Sequence, residues 1–134
     1  MVKDGNLHHI GFAVTDIQET ANLFVKNGYE VGNELYDEEL QVKLCYLRKH
    51  GSVPLELILQ LNPNSLENQL IGKVGVTVYH LCYEVADIDL AYKDLVEQGY
   101  LPLFSPISVK ALNGSRICYF QHPNLGYIEL LEQK

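Results

Sequence analysis

The sequence has no apolar run long enough to span a bilayer, no low-complexity tract and no Gly/Ser-rich linker. These absences set aside a helical membrane protein and a string of tethered domains. Cysteine is scarce: Cys45, Cys82 and Cys118 are an odd number without CxxC spacing, which argues against a disulfide framework or a thiolate zinc knuckle. Cys45 in LCYL and Cys118 in ICYF read instead as small buried hydrophobes. Positive charge is also short, with 10 Lys and Arg scattered among 17 Asp and Glu for a net charge of −7. Neither nucleic acid nor an anionic membrane surface is an expected partner. The opening residues MVKDGNLHH lack the apolar core of a secretory signal, so the expected location is the cytoplasm.

What is present is an ordinary globular composition, 47% apolar and 20% charged over 134 residues, which suits one domain covering 1–134 or two small halves sharing a core. The chain nearly repeats itself. HIGFAVTDI at 9–17 returns as HLCYEVADI at 80–88, so that His9 falls on His80, Asp16 on Asp87, and Gly28-Tyr29 on Gly99-Tyr100. Further along the offset grows by two residues: Cys45-Tyr46 meets Cys118-Tyr119, and Glu56-Leu57 meets Glu129-Leu130. A long period present only twice indicates a duplicated supersecondary unit rather than a solenoid.

Each copy reads as β-α-β-β-β. LHHIGFAV alternates like a strand, and TDIQETANLFVKNG follows as a helix, with Thr15 or Asp16 to cap it and Gly28 to stop it. Ile17, Ala21 and Phe24 form its apolar stripe, matched by Ile88, Tyr92 and Leu95. Strands are expected at about 29–36, 41–48 and 54–60, and again near 100–105, 115–121 and 126–132. The first module then runs from about 7 to 60 and the second from about 78 to 133, joined by a polar linker at 61–77.

Strand parity locates the chemistry. Successive strand side chains face opposite ways. Ile10, Phe12 and Val14 belong on the helix side, which turns His9 away from it; Leu81, Tyr83 and Val85 do the same for His80. In the last strand of each module Leu55 and Leu57 oppose Glu56, and Ile128 and Leu130 oppose Glu129. If the sheets curl around a shared cavity, two imidazoles and two carboxylates converge there. Unpaired buried carboxylates cost several kcal/mol each, and a divalent cation such as Zn, Mn, Fe, Co or Ni compensates them. The bland alternative, in which the duplicates were inherited without function, stays open at this point.

HHIGFAVTDI, ELILQ, YHLCYEVADI and YIELLEQ resemble the vicinal oxygen chelate superfamily, the glyoxalase, bleomycin resistance and dioxygenase group, over about residues 7–133. The resemblance implies an α+β fold: two tandem βαβββ modules forming a cupped, partly closed mixed sheet with helices outside. It also implies one divalent metal ion held by His9, Glu56, His80 and Glu129, and a homodimer. His8 has the wrong parity, and Tyr79 stands at its repeat position, so it is read as non-ligating.

Within that superfamily the chain is most similar to the methylmalonyl-CoA epimerase family, through LHHIGFAV, the aromatic-His pair before LCYEV, the QHP turn at 121–123 and the ending GYIELLEQ. The resemblance implies a small-molecule substrate, an acyl-CoA or other thioester, whose α-proton is removed. Glu129 is one implied acid/base group. The second glutamate of the epimerases sits in an E-x-G-V pattern, which places Glu39 there, although Gln41 replaces the glycine and Asp37-Glu38-Glu39 also reads as a solvated turn. A glyoxalase I-like lactoylglutathione lyase is the alternative enzyme. It calls for basic and amide groups for glutathione, and no convincing set stands out. An extradiol dioxygenase is disfavoured by the extra Glu56 and the short chain. A non-catalytic drug-binding protein, with Tyr46, Tyr119 and Tyr127 lining a cavity, is disfavoured by the presence of ligand residues.

Overall fold

The computed structural model describes all 134 residues, in the order β1 (Asn6–Ala13), α1 (Ile17–Val25), β2 (Glu30–Asp37), β3 (Val42–Arg48), β4 (Leu55–Gln60), α2 (Leu66–Val74), β5 (Thr77–Val85), α3 (Ile88–Glu97), β6 (Leu101–Val109), β7 (Ser115–His122) and β8 (Gly126–Glu132). The fold is α+β and contains the two βαβββ modules. The chain divides into two compact units, His9–Tyr79 and Met1–His8 with His80–Lys134.

In the unit His9–Tyr79, β4 lies parallel to β1, with Ile10 opposite Leu55 and Phe12 opposite Leu57. β3 runs antiparallel to β4, and β2 antiparallel to β3. The parallel pair requires a crossover, and α1 begins it. Asp16 caps α1 by accepting the Glu19 N–H at 3.0 Å. Gly28 leaves the helix at φ +95°, a left-handed conformation that glycine adopts without a Cβ clash. Val14, Ile17, Ala21, Cys45, Leu47, Leu55 and Leu57 form the core between helix and sheet, with Ile10, Phe12 and Phe24 packed against it. Each fully buried large apolar side chain of this kind contributes about 1.5–3 kcal/mol.

The other unit repeats the plan. β8 lies parallel to β5, β7 antiparallel to β8, and β6 antiparallel to β7. Asp87 caps α3 through the Leu90 N–H at 3.0 Å. Val85, Ile88, Leu95, Tyr100, Cys118, Phe120, Ile128 and Leu130 form its core. Burial pushes the Cys118 thiol up to about 12, with the Glu129 charge adding to the effect, so this cysteine is an inert packing group. The first residues of the chain belong here as well. Val2 packs on this core, and the Met1 amino group donates to Gln98 Oε1 at 2.9 Å.

The stretch 61–77 differs from the expected polar linker because it contains α2. Ser65 accepts the Asn68 N–H at 3.2 Å as the cap, and Glu67 and Lys73 stand at the helix ends where the backbone dipole favours them. Asn68 in turn donates to the carbonyls of Gln60 and Asn62 at 2.9 and 2.8 Å. No residue of α2 is buried, which is why its apolar pattern alone does not announce it. β6 likewise extends beyond its expected end at 105.

Candidate functional site

Each unit holds one buried histidine–glutamate pair on the sheet face opposite its helix, where parity placed it. In the first, His9 Nε2 lies 3.4 Å from Glu56 Oε1. In the second, His80 Nε2 lies 3.1 Å from Glu129 Oε1. All four residues are no more than 3% exposed. The local construction is the same in both. Glu56 is paired with Gly11, two residues after His9, and Glu129 with Cys82, two residues after His80. On the other flank the antiparallel strand presents Tyr46 opposite Glu56 and Tyr119 opposite Glu129. Each tyrosine meets its histidine edge-on, at ring-centroid distances of 5.5 Å for Tyr46–His9 and 5.3 Å for Tyr119–His80. Tyr119 Oη also lies 3.5 Å from His80 Nδ1, a contact that steadies the ring with Nε2 toward Glu129. The tyrosines therefore pack beside the pairs.

An imidazole nitrogen aimed at a carboxylate oxygen needs a positive centre to serve both. In a buried setting that centre is a proton, on the ring or on the carboxyl, or a metal cation accepting from the two lone pairs. Nitrogen and oxygen donors without thiolate suit a borderline or hard divalent ion. The nitrogen and oxygen donors of each pair, His9 with Glu56 and His80 with Glu129, suit such an ion.

Glu39 is placed differently. It is exposed, at the turn between β2 and β3. The turn itself is tightly made. The Leu40 N–H donates to Asp37 Oδ1 at 3.0 Å, the Gln60 side chain donates to the Leu40 carbonyl at 3.2 Å, and the Leu61 N–H donates to the Gln41 carbonyl at 2.9 Å. Gln41 has φ +53°, the left-handed conformation that glycine favours. A glycine, as in the E-x-G-V pattern, would take this conformation without strain. Asp37, 2% exposed, was not singled out from the sequence; an Asp opening a turn is the signal for it. His8 is half-buried, and its Nε2 lies 4.0 Å from Glu84 Oε2, outside either pair.

The chain belongs to the Glyoxalase/Bleomycin resistance protein/Dioxygenase superfamily, whose family model it matches over residues 8–119. Its relatives are narrower in kind. It is 31% identical over 123 residues to the mitochondrial methylmalonyl-CoA epimerase of Bos taurus, an alignment covering 90% of this chain and 68% of that protein. The crystal structure of methylmalonyl-CoA epimerase from Mycobacterium tuberculosis is similar with a TM-score of 0.81 at 25% identity, covering 96% of this chain and 87% of that one. A variant of the Streptomyces coelicolor methylmalonyl-CoA epimerase in complex with 2-nitronate-propionyl-CoA is similar with a TM-score of 0.82 at 25% identity, covering 95% and 96%.

Proposed function

We propose that this protein is a divalent-metal-dependent epimerase that removes and returns the proton α to a thioester carbonyl, with a malonyl-type acyl-CoA as substrate. The observation that carries the reading is the pair of buried His–Glu arrangements in identical register, His9 with Glu56 and His80 with Glu129. In this reading both pairs close on a single ion. The 31% identity to a methylmalonyl-CoA epimerase supports the choice of reaction.

When bound, the metal supplies Lewis acidity that stabilises negative charge on the substrate oxygens as the α-proton leaves. The protein's own residues do the rest. His9, Glu56 and His80 hold the ion, with Tyr119 fixing the His80 ring. Glu129 has a double role: beside His80 it would be the fourth ligand of the ion, and it serves as the base on one face of the α-carbon. Glu39 is the acid/base group for the opposite face, on a turn whose backbone is set by Asp37 and Gln41. Its exposure leaves the carboxylate accessible to a bound substrate. The leucines behind the pairs keep bulk water from the side of the sheet facing the helices.

The test is solvent exchange. Metal-loaded protein incubated with methylmalonyl-CoA in D₂O is expected to wash deuterium into the α-carbon, read by proton NMR. Absence of exchange in any malonyl-type thioester, with Co or Mn reloaded after EDTA treatment, contradicts the assignment.

A further inference from the structure

The cations of this acidic chain are scattered, with one exception. Arg48 and Lys49 are the only adjacent Lys/Arg residues in the sequence, and His50 follows them. The structure gathers these three at the end of β3, around a cavity of about 600 Å³ that Ser52 and Glu30 also line. The cluster is held in place. The Arg48 guanidinium lies 5.0 Å from the centre of the Tyr46 ring, a stacking arrangement that orients the fork without consuming its donors. The Lys49 ammonium donates to Asn27 Oδ1 at 3.3 Å and lies 5.9 Å from the Tyr29 ring. The Ser52 N–H closes the turn on the Lys49 carbonyl at 3.0 Å. Gly28 forms another wall, with only the Lys49 side chain near where a Cβ would stand. By contrast, Arg116 is committed to Asp89 and Glu132.

The geometry points to a phosphate-binding subsite formed by Arg48, Lys49, His50 and Ser52, which takes the phosphorylated nucleotide end of an acyl-CoA. Naming the coenzyme end rests on the epimerase reading above; the anion chemistry does not. A planar guanidinium fork, an ammonium, an imidazole and a hydroxyl around one cavity match the donors that phosphate oxygens take. In a chain of net charge −7, a local positive cluster also offsets the general repulsion of a polyanionic substrate. The position is suitable: Arg48 lies over the ring of Tyr46, which itself packs against His9. The cavity therefore begins one side chain away from the buried pair. Glu30 opposes the cluster, and its removal should help an anion.

The experiment is titration of metal-free protein with adenosine 3′,5′-bisphosphate by calorimetry at low salt. Wild-type protein is expected to bind it, and raising the salt should weaken binding steadily. The double substitution Arg48→Gln/Lys49→Gln should weaken it at least about tenfold, some 1.4 kcal/mol. Ser52→Asp should weaken binding while leaving both cations present, and Glu30→Gln should tighten it. Circular dichroism melts identify any variant that has lost its fold, and Ser52→Asp and Glu30→Gln decide the matter in that case. Wild-type protein that does not bind, or variants all within threefold of it, overturn the subsite. Exchange on a short pantetheine thioester is measured in parallel. Loss of exchange with retained bisphosphate binding refutes the epimerase reading and leaves the anion subsite standing.

Discussion

In the unit containing His80, Glu132 at the end of β8 accepts the Ile88 N–H at the start of α3 at 3.2 Å and takes two hydrogen bonds from Arg116, which also grips Asp89. At the corresponding places the unit containing His9 has Leu59, Lys43 and Gln18, so no such network can form there. The two copies have diverged around the helix starts. They agree at the His–Glu–Tyr arrangement, at the Asp caps and at the core leucines. That division follows from the physics. A capping Asp or a buried leucine is required by each unit for its own sake. A partly exposed ion network contributes little and is free to change. The buried His–Glu pairs belong to neither class, because a carboxylate in an apolar setting is costly unless something compensates it. Their presence in both halves is what the proposed metal site accounts for.

The largest expected difference between the halves lies in Glu129 against Glu56. In the proposed reaction Glu129→Gln removes both a charge at the ion and the base, so exchange is expected to fall about 10²–10⁴-fold. Glu56→Gln keeps an oxygen donor, so the loss should stay near tenfold, roughly 1.4 kcal/mol of barrier. Initial rates of deuterium incorporation compare the two; equal losses would mean that the halves share the base role or that neither supplies it.

Next come the cores, where the halves should behave alike. Leu57→Ala and Leu130→Ala each remove a fully buried side chain at matched positions, and each should cost about 2–5 kcal/mol in urea unfolding. A cost confined to one of them would show that the halves do not carry equal weight in the core.

The ion network should then separate the halves by pH. Arg116 beside Glu132 holds that carboxyl below its usual range, helped by the Ile88 N–H. Because the folded value is depressed, the stabilisation is complete above the unfolded carboxylate value of about 4.3 and is lost as pH falls through the lower folded value. Glu132→Gln should therefore destabilise the protein at neutral pH and flatten the acid limb of its melting curve. Leu59→Gln, at the matched place, should leave that limb's slope unchanged. The smallest effect is expected at the β2–β3 turn. Gln41→Gly relieves a left-handed residue and should stabilise by up to about 1 kcal/mol, offset in part by the freedom glycine gains when unfolded.

Much of this was legible in the sequence. The duplication announced both modules, and two-residue alternation assigned His9, His80, Glu56 and Glu129 to the face away from the helices. The misses have a common cause. α2 buries nothing, so its apolar residues gave no firm pattern, and its cap at Ser65 sat among other turn-forming residues. Asp37 looked like part of a solvated acidic run, because only the folded turn shows its carboxylate accepting the Leu40 N–H. The Arg48–Lys49–His50 cluster is three residues long, and its meaning depends on a cavity that includes Gly28 and Glu30 from elsewhere in the chain. Sequence periodicity reports which face a residue takes. It does not report what a turn or a strand end gathers around itself.

The proposed metal site of His9, Glu56, His80 and Glu129 predicts a definite metal stoichiometry. Protein dialysed against Co or Mn and measured by mass spectrometry should carry one ion per chain. His9→Ala and His80→Ala should each abolish that binding. Two ions per chain, or one ion retained after either substitution, would rule that site out.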